Sequence, residues 1–123
     1  MNLSYIMPVY IPDWATLTMT EIAIATLRQA SPDSPIVIVD NGSSYGVGHL
    51  KNLATGYIRN DENLGYPKAV NQGILVTGSK FLAIANNDIR VHPDCIKVAE
   101  QIFEDPEVGS VHYRMIRLND EPT

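Results

Sequence analysis

Short apolar runs alternate along the chain with segments whose apolar residues recur every three or four positions, and several runs stop abruptly on polar residues. Leu3 to Tyr10 is apolar and partly β-branched or aromatic, and Pro8 and Pro12 break it, which predicts a short buried strand followed by a turn. A helix follows. Asp13 suits its cap, Thr18 and Glu21 stand at capping-box spacing one turn later, and Leu17, Ala23, Ile24, Leu27 and Ala30 make one apolar stripe. Ser31-Pro32-Asp33-Ser34-Pro35 ends it. Ile36 to Val39 is a continuous β-branched run, the pattern of a parallel strand covered on both faces, and it halts at Asp40-Asn41-Gly42-Ser43-Ser44.

A short helix is expected over Val47 to Ala54 with Gly56 closing it, then a weak strand at Tyr57-Ile58-Arg59 and a loop from Asn60 to Gly65. Pro67 fits the first turn of a helix reaching about Gly78, where its missing N–H leaves no bond unmade. Phe81 to Ala85 reads as another buried strand that stops on Asn86-Asn87-Asp88, with Ile89 to Val91 as a short extension. Pro93-Asp94 opens a helix with Ile96, Ala99, Ile102 and Phe103 on one side, ending near Asp105-Pro106. Val108 to Tyr113 is expected to form a last strand, and Asn119 to Thr123 a polar tail.

Strands and helices in this alternation predict an α/β fold of three layers, with helices on both faces of a mostly parallel sheet, because parallel crossovers need room for a helix. In such sheets ligands lie outside the carboxyl ends of the strands. The residues after the first, second and fourth strands are Pro8-Val9-Tyr10, Asp40-Asn41-Gly42-Ser43 and Asn86-Asn87-Asp88, so the three clusters are expected on one edge.

The 123 residues fit one domain, assigned to 1–118, and the hydrophobic share of 45% is that of a globular chain rather than a disordered one. The net charge of −5, with Lys and Arg scattered, argues against nucleic acid as a partner. The single cysteine, Cys95, reads as a buried structural thiol, and no Cys and His residues show zinc-ligand spacing. Without a signal-peptide pattern or a membrane-length apolar run, a cytoplasmic protein is expected.

The residue types narrow the ligand. Asp40 and Asp88 converging in a crevice repel each other unless they receive donors such as ribose hydroxyls, a base N–H or a divalent cation, all of which a metal-bound nucleoside diphosphate brings. A carboxylate approaches phosphate only through a hard cation such as Mg²⁺ or Mn²⁺, so Asp88 is expected to hold the metal. Gly65 permits close backbone approach, and the helix start at Tyr66-Pro67-Lys68 offers free N–H groups to an anion, with the Lys68 charge beside them. A dinucleotide site is excluded: Pro8-Val9-Tyr10-Ile11-Pro12 carries no Gly-x-Gly-x-x-Gly, and Gly46-Val47-Gly48 lacks the third glycine.

The runs Ile38-Val39-Asp40-Asn41-Gly42-Ser43, Asn63-Leu64-Gly65-Tyr66 with Ala69 and Asn71-Gln72-Gly73, and Ala85-Asn86-Asn87-Asp88-Ile89 together resemble the donor-binding half of family-two glycosyltransferases of the GT-A fold, rhamnosyltransferase-like members in particular, over residues 3 to 112. The resemblance implies a Rossmann-like nucleotide-diphospho-sugar transferase fold and transfer of a sugar from a UDP-, GDP- or dTDP-sugar to an acceptor hydroxyl, with inversion. It implies that Pro8, Val9 and Tyr10 line the base and Asp40 recognises base or ribose, beside Asn41. Asn63, Gly65, Lys68 and Asn71 then belong to the segment closing over the nucleotide. Asn86, Asn87 and Asp88 match the Asp-x-Asp motif, whose last acid coordinates the metal, manganese or magnesium, with the amide Asn86 standing where the motif has its first acid. No residue matches the acceptor-deprotonating base and the family's acceptor region is not matched, so a truncated or non-catalytic nucleotide-sugar-binding module is the alternative, with a partner chain or a homo-oligomer as its expected partners. A nucleotidyltransferase is a weaker one, lacking its glycine-rich basic loop.

Humbler roles fit some of the same residues. Asp40 before Asn-Gly-Ser suits a turn cap through its side chain, Trp14 and Tyr66 suit packing, Tyr66 alternatively closing over the nucleotide, and the isolated His49, His92 and His112 suit surface or packing positions.

Overall fold

A computed structural model describes residues 1–116. Its elements are β1 (Leu3–Val9), α1 (Trp14–Ala30), β2 (Ile36–Asp40), α2 (Val47–Leu53), β3 (Gly56–Arg59), α3 (Tyr66–Leu75), β4 (Phe81–Ile84) and α4 (Cys95–Ile102). The four strands form one sheet in the order β3-β2-β1-β4, and every pair is parallel.

Side-chain alternation divides the core. Tyr5, Met7 and Val9 of β1 and Ile36 and Ile38 of β2 pack with Leu17, Ile24 and Leu27 of α1, Leu50 of α2 and Ile96 of α4. Val37 and Val39 face the other way and pack with Ala69 of α3, so the sheet lies between helix layers. Close approach of α3 rests on Gly73: a Cβ there would stand 2.4 Å from Ile6 Cγ2. Crossovers after β1 and β2 advance toward the β3 edge, whereas the next, through α3, carries the chain back across the sheet to β4. The direction of winding therefore reverses between β1 and β4, which opens a crevice beyond their carboxyl ends.

Asp13 caps α1 as expected, accepting from Thr16 N at 2.8 Å, whereas Thr18 lies inside that helix and donates to Trp14 O at 3.1 Å, so the Thr18–Glu21 pair caps nothing. Gly56 opens β3 rather than closing α2, because Ala54 already turns the chain into extended backbone. The third helix stops at Leu75 instead of Gly78, and the fourth begins at Cys95, after a turn at Pro93-Asp94. Ile89 to Val91 is not a strand; Ile89 and Val91 instead pack against the core beneath it. Val108 to Tyr113 is not a strand either. Its residues are mostly exposed and join no ladder, and Tyr113 Oη donates to Cys95 O at 2.6 Å. The expected tail, 119–123, lies outside the described residues. No helix among the described residues is long and apolar enough to cross a membrane.

Candidate functional site

The crevice at the winding reversal is a hollow of about 560 Å³, within the roughly 300–1,000 Å³ usual for small-molecule sites. Its wall is formed by Pro8, Val9 and Tyr10 from the end of β1, Asn41 from the end of β2, Asn63 and Tyr66 before and at the start of α3, and Asn86, Asn87 and Asp88 after β4. The ladder continues past the strands to set this rim: Asn41 N donates to Val9 O at 2.8 Å and Ala85 N to Ile6 O at 2.9 Å.

Two aromatic rings stand open at the mouth, Tyr10 and Tyr66, each 49% exposed. Tyr66 Oη donates to Asn86 Oδ1 at 2.9 Å, tying the α3 start to the β4 end across the hollow. Asn87 is held from behind, its Nδ2 donating to Thr20 Oγ1 of α1 at 3.0 Å. Asp88 is exposed and, among the described residues, is the one charged side chain in the wall. Oxygen donors of Asp88, Asn86 and Asn87 are hard ligands that suit Mg²⁺ or Mn²⁺, and one carboxylate suffices where phosphate oxygens and water complete the shell. No cluster of three or more His, Cys, Asp or Glu able to cage a metal exists among the described residues. The residues present thus fit a cation shared with a bound diphosphate, not one held by protein alone.

Asp40 does not reach the wall. Its side chain is fully buried, Oδ1 accepting from Ser43 N at 2.8 Å and Oδ2 from Arg59 Nη1 at 2.7 Å and from Tyr57 Oη. Burial alone would raise the Asp40 pKa, but the hydrogen bonds from Ser43, Tyr57 and Arg59 outweigh it and hold the carboxyl below its ordinary 3.8. Burial, then the bond to this carboxylate, pushes Tyr57 up to about 12. With its donors supplied from within, Asp40 acts as the clamp of the 40–43 turn, whose Gly42 takes a φ of 80° and packs where a Cβ would stand 3.1 Å from the Glu62 backbone. The expected convergence of Asp40 with Tyr10 and Asp88 in one hollow is corrected: Tyr10 and Asp88 meet there, and Asn41, the next residue, faces it instead.

Gly65, Lys68 and Asn71 are not part of the wall. Gly65 supports it as the residue preceding α3, with a φ of 89° and its carbonyl accepting from Asn41 Nδ2 at 3.2 Å. Lys68 and Asn71 are exposed positions of α3. Of the two roles open to Tyr66, packing and a place over the hollow, the structure gives it the place in the wall, and Trp14 is 65% exposed with its ring edge-on to Tyr45 at 5.9 Å. His49 meets Glu21 at 3.2 Å and His92 meets Asp94 at 3.7 Å, both on the surface. Cys95 is half-buried against the core, and burial raises its thiol. Tyr57, Arg59, Asn60 and Gln72, whose bonds hold the turns that carry the wall, stand in the expected strand, loop and motif, but the sequence alone assigns them no site role.

The family model for glycosyl transferase family 2 matches residues 4–123. The chain belongs to that family. Among solved structures it is similar to Staphylococcus aureus TarS 1-349, at a TM-score of 0.70 and 18% identity, covering 85% of this chain and 33% of that one. It is equally similar, at 0.70 and 18%, to the structure of the same protein in complex with UDP, covering 85% of this chain and 32% of that one. The chain thus spans about a third of the length of these structures, and the likeness carries the fold, that of GT-A glycosyltransferases. No match was found among curated proteins.

Proposed function

We propose that this family 2 domain binds a nucleoside-diphosphate sugar in the β1–β4 hollow and donates the sugar to an acceptor hydroxyl, with inversion. The observation that carries the proposal is the wall itself: among the described residues one carboxylate, Asp88, set among carboxamides and tyrosine hydroxyls at the winding reversal of the sheet. A complex with UDP in a structure of the same fold supports a nucleotide as the ligand.

In this proposal Pro8, Val9 and Tyr10 give an apolar and aromatic bed for the base, and Asn63 offers an amide donor and acceptor to base or ribose beside Asn41, whose carboxamide already bonds Asn60, Leu64 and Gly65 and has one N–H left to give. Asp88, with the amide oxygens of Asn86 and Asn87, holds a divalent metal, Mg²⁺ or Mn²⁺. When bound, that metal supplies Lewis-acid stabilisation of the departing diphosphate. Tyr66, bonded to Asn86, closes the wall on the α3 side and excludes water from the diphosphate. Gly65, Lys68 and Asn71 act from the α3 start, Lys68 as a cation near the anionic donor. Asp40 contributes by holding the turn that presents Asn41. A cytoplasmic setting belongs to the same proposal.

A second reading, a donor-binding module that needs a partner chain or a second copy for catalysis, is favoured by one observation: among the described residues no carboxylate besides Asp88 lines the hollow, so none of them there is free to deprotonate an acceptor. Melting the chain with UDP-, GDP- and dTDP-sugars, with and without Mn²⁺, tests both. At least one donor is expected to raise the Tm only when metal is present, and silence from the whole panel refutes the assignment. Transfer or donor hydrolysis by the chain selects the enzyme, and binding without turnover selects the module.

A further inference from the structure

We propose that Asn60 and Gln72 are positioning residues for the donor, an inference that rests on the transferase assignment and adds to it a polarity-locked carboxamide chain setting the wall. The segment from Asn60 to Gly65 belongs to no strand or helix, yet it delivers Asn63 and leads into Tyr66. Its conformation must come from elsewhere. Leu64 N donates to Asn41 Oδ1 at 3.4 Å and Gly65 O accepts from Asn41 Nδ2 at 3.2 Å, so the loop hangs on one buried carboxamide.

Those backbone partners fix which way Asn41 points, because a backbone N–H can only donate and a carbonyl only accept. Asn41 Oδ1 then also accepts from Asn60 Nδ2 at 2.9 Å, which fixes Asn60. Asn60 in turn exchanges two bonds with Gln72, Nδ2 to Oε1 and Nε2 to Oδ1, each at 2.8 Å. The chain of amides runs from the end of β2, through the end of β3, into α3, and no member can flip without setting donor against donor. Asn60 is buried and Gln72 half-buried on the helix that packs over β1 and β2, so loop pose is referred to the sheet itself. Removing the Gln72 carboxamide takes away two of the three bonds that hold the Asn60 carboxamide, so Asn60 is steadied by Asn41 alone and the grip on Asn41, and through it on Leu64 and Gly65, loosens.

The test compares the wild-type chain with Gln72→Ala and with the exchanged pair Asn60→Gln/Gln72→Asn, which keeps both carboxamides and their summed length. UDP, GDP and dTDP affinities are measured with Mn²⁺, alongside Tm and the amide exchange of Leu64 and Gly65. Gln72→Ala is expected to weaken nucleotide binding about tenfold and speed exchange at both amides, with a Tm loss under about 5 °C; the exchanged pair recovers most of the affinity. Affinity unchanged in Gln72→Ala, or a loss that only follows Tm and that the exchanged pair does not relieve, overturns the inference alone. A wild-type chain that binds none of the three nucleotides overturns the transferase assignment and this inference together.

Discussion

Replacing Asp40 by Asn removes the charge that Arg59 and Tyr57 share inside the molecule while leaving the shape intact. Breaking such a pair strands Arg59, and because that side chain still reaches water at 38% exposure the cost is expected at about 2–3 kcal/mol, below the upper range for buried pairs. Chemical denaturation reads it directly. The same group sets an acid limb. Its folded pKa lies below its unfolded one, so its stabilisation is complete above about pH 4 and drains away as the pH falls through the lowered folded value. Thermal melts of the wild type below pH 4 should lose Tm more steeply than those of Asp40→Asn. Tyr66→Phe removes only the bond to Asn86 and is expected to weaken donor binding roughly three- to tenfold by calorimetry without moving Tm. Much of the wall was legible because strand ends in a parallel sheet share an edge whatever their neighbours are. Asp40 was not placed, because a carboxylate that faces a ligand and one that caps its own turn look alike in sequence; its actual partners, Tyr57 and Arg59, stand on another strand.

Helix α3 is the element on which the site turns, since it covers β1 and β2 on one face and starts at the hollow on its other end. Gly73→Ala places a methyl group 2.4 Å from Ile6 Cγ2, so the helix must lift. A loss of about 1–3 kcal/mol is expected, with a weaker nucleotide affinity because Tyr66 and the preceding loop move with the helix. The helices and buried strands followed from periodicity and from runs such as Ile36 to Val39, where pattern and burial agree. The expected strand at Val108 to Tyr113 failed because an apolar run becomes a strand only where a partner edge receives it, and no ladder reaches this one among the described residues. Helix ends slipped by two or three residues where turns, as at Pro93-Asp94, substitute for caps.

At the scale of the molecule the sheet is unevenly covered. Leu82 and Ile84 of β4 share the α3 face with Ile6 by register, yet α3 packs over β1 and β2, and both side chains remain open at 38% and 44%. The open pair predicts self-association of the concentrated chain in light scattering, and changing both to Thr is expected to lower it while leaving nucleotide affinity unaltered, because neither lines the hollow. Winding order explains why a site exists at all: only between β1 and β4 do crossovers depart in opposite directions, and the polar stops of those two strands are what the crevice exposes. The most direct test of that account is a crystal structure of the chain soaked with Mn²⁺ and whichever nucleoside diphosphate shifts its Tm. Metal density on the Asp88 carboxylate, with the base lying along Pro8 to Tyr10 and the diphosphate between them, is the predicted result; a nucleotide bound elsewhere, or a metal with no bond to Asp88, would contradict it.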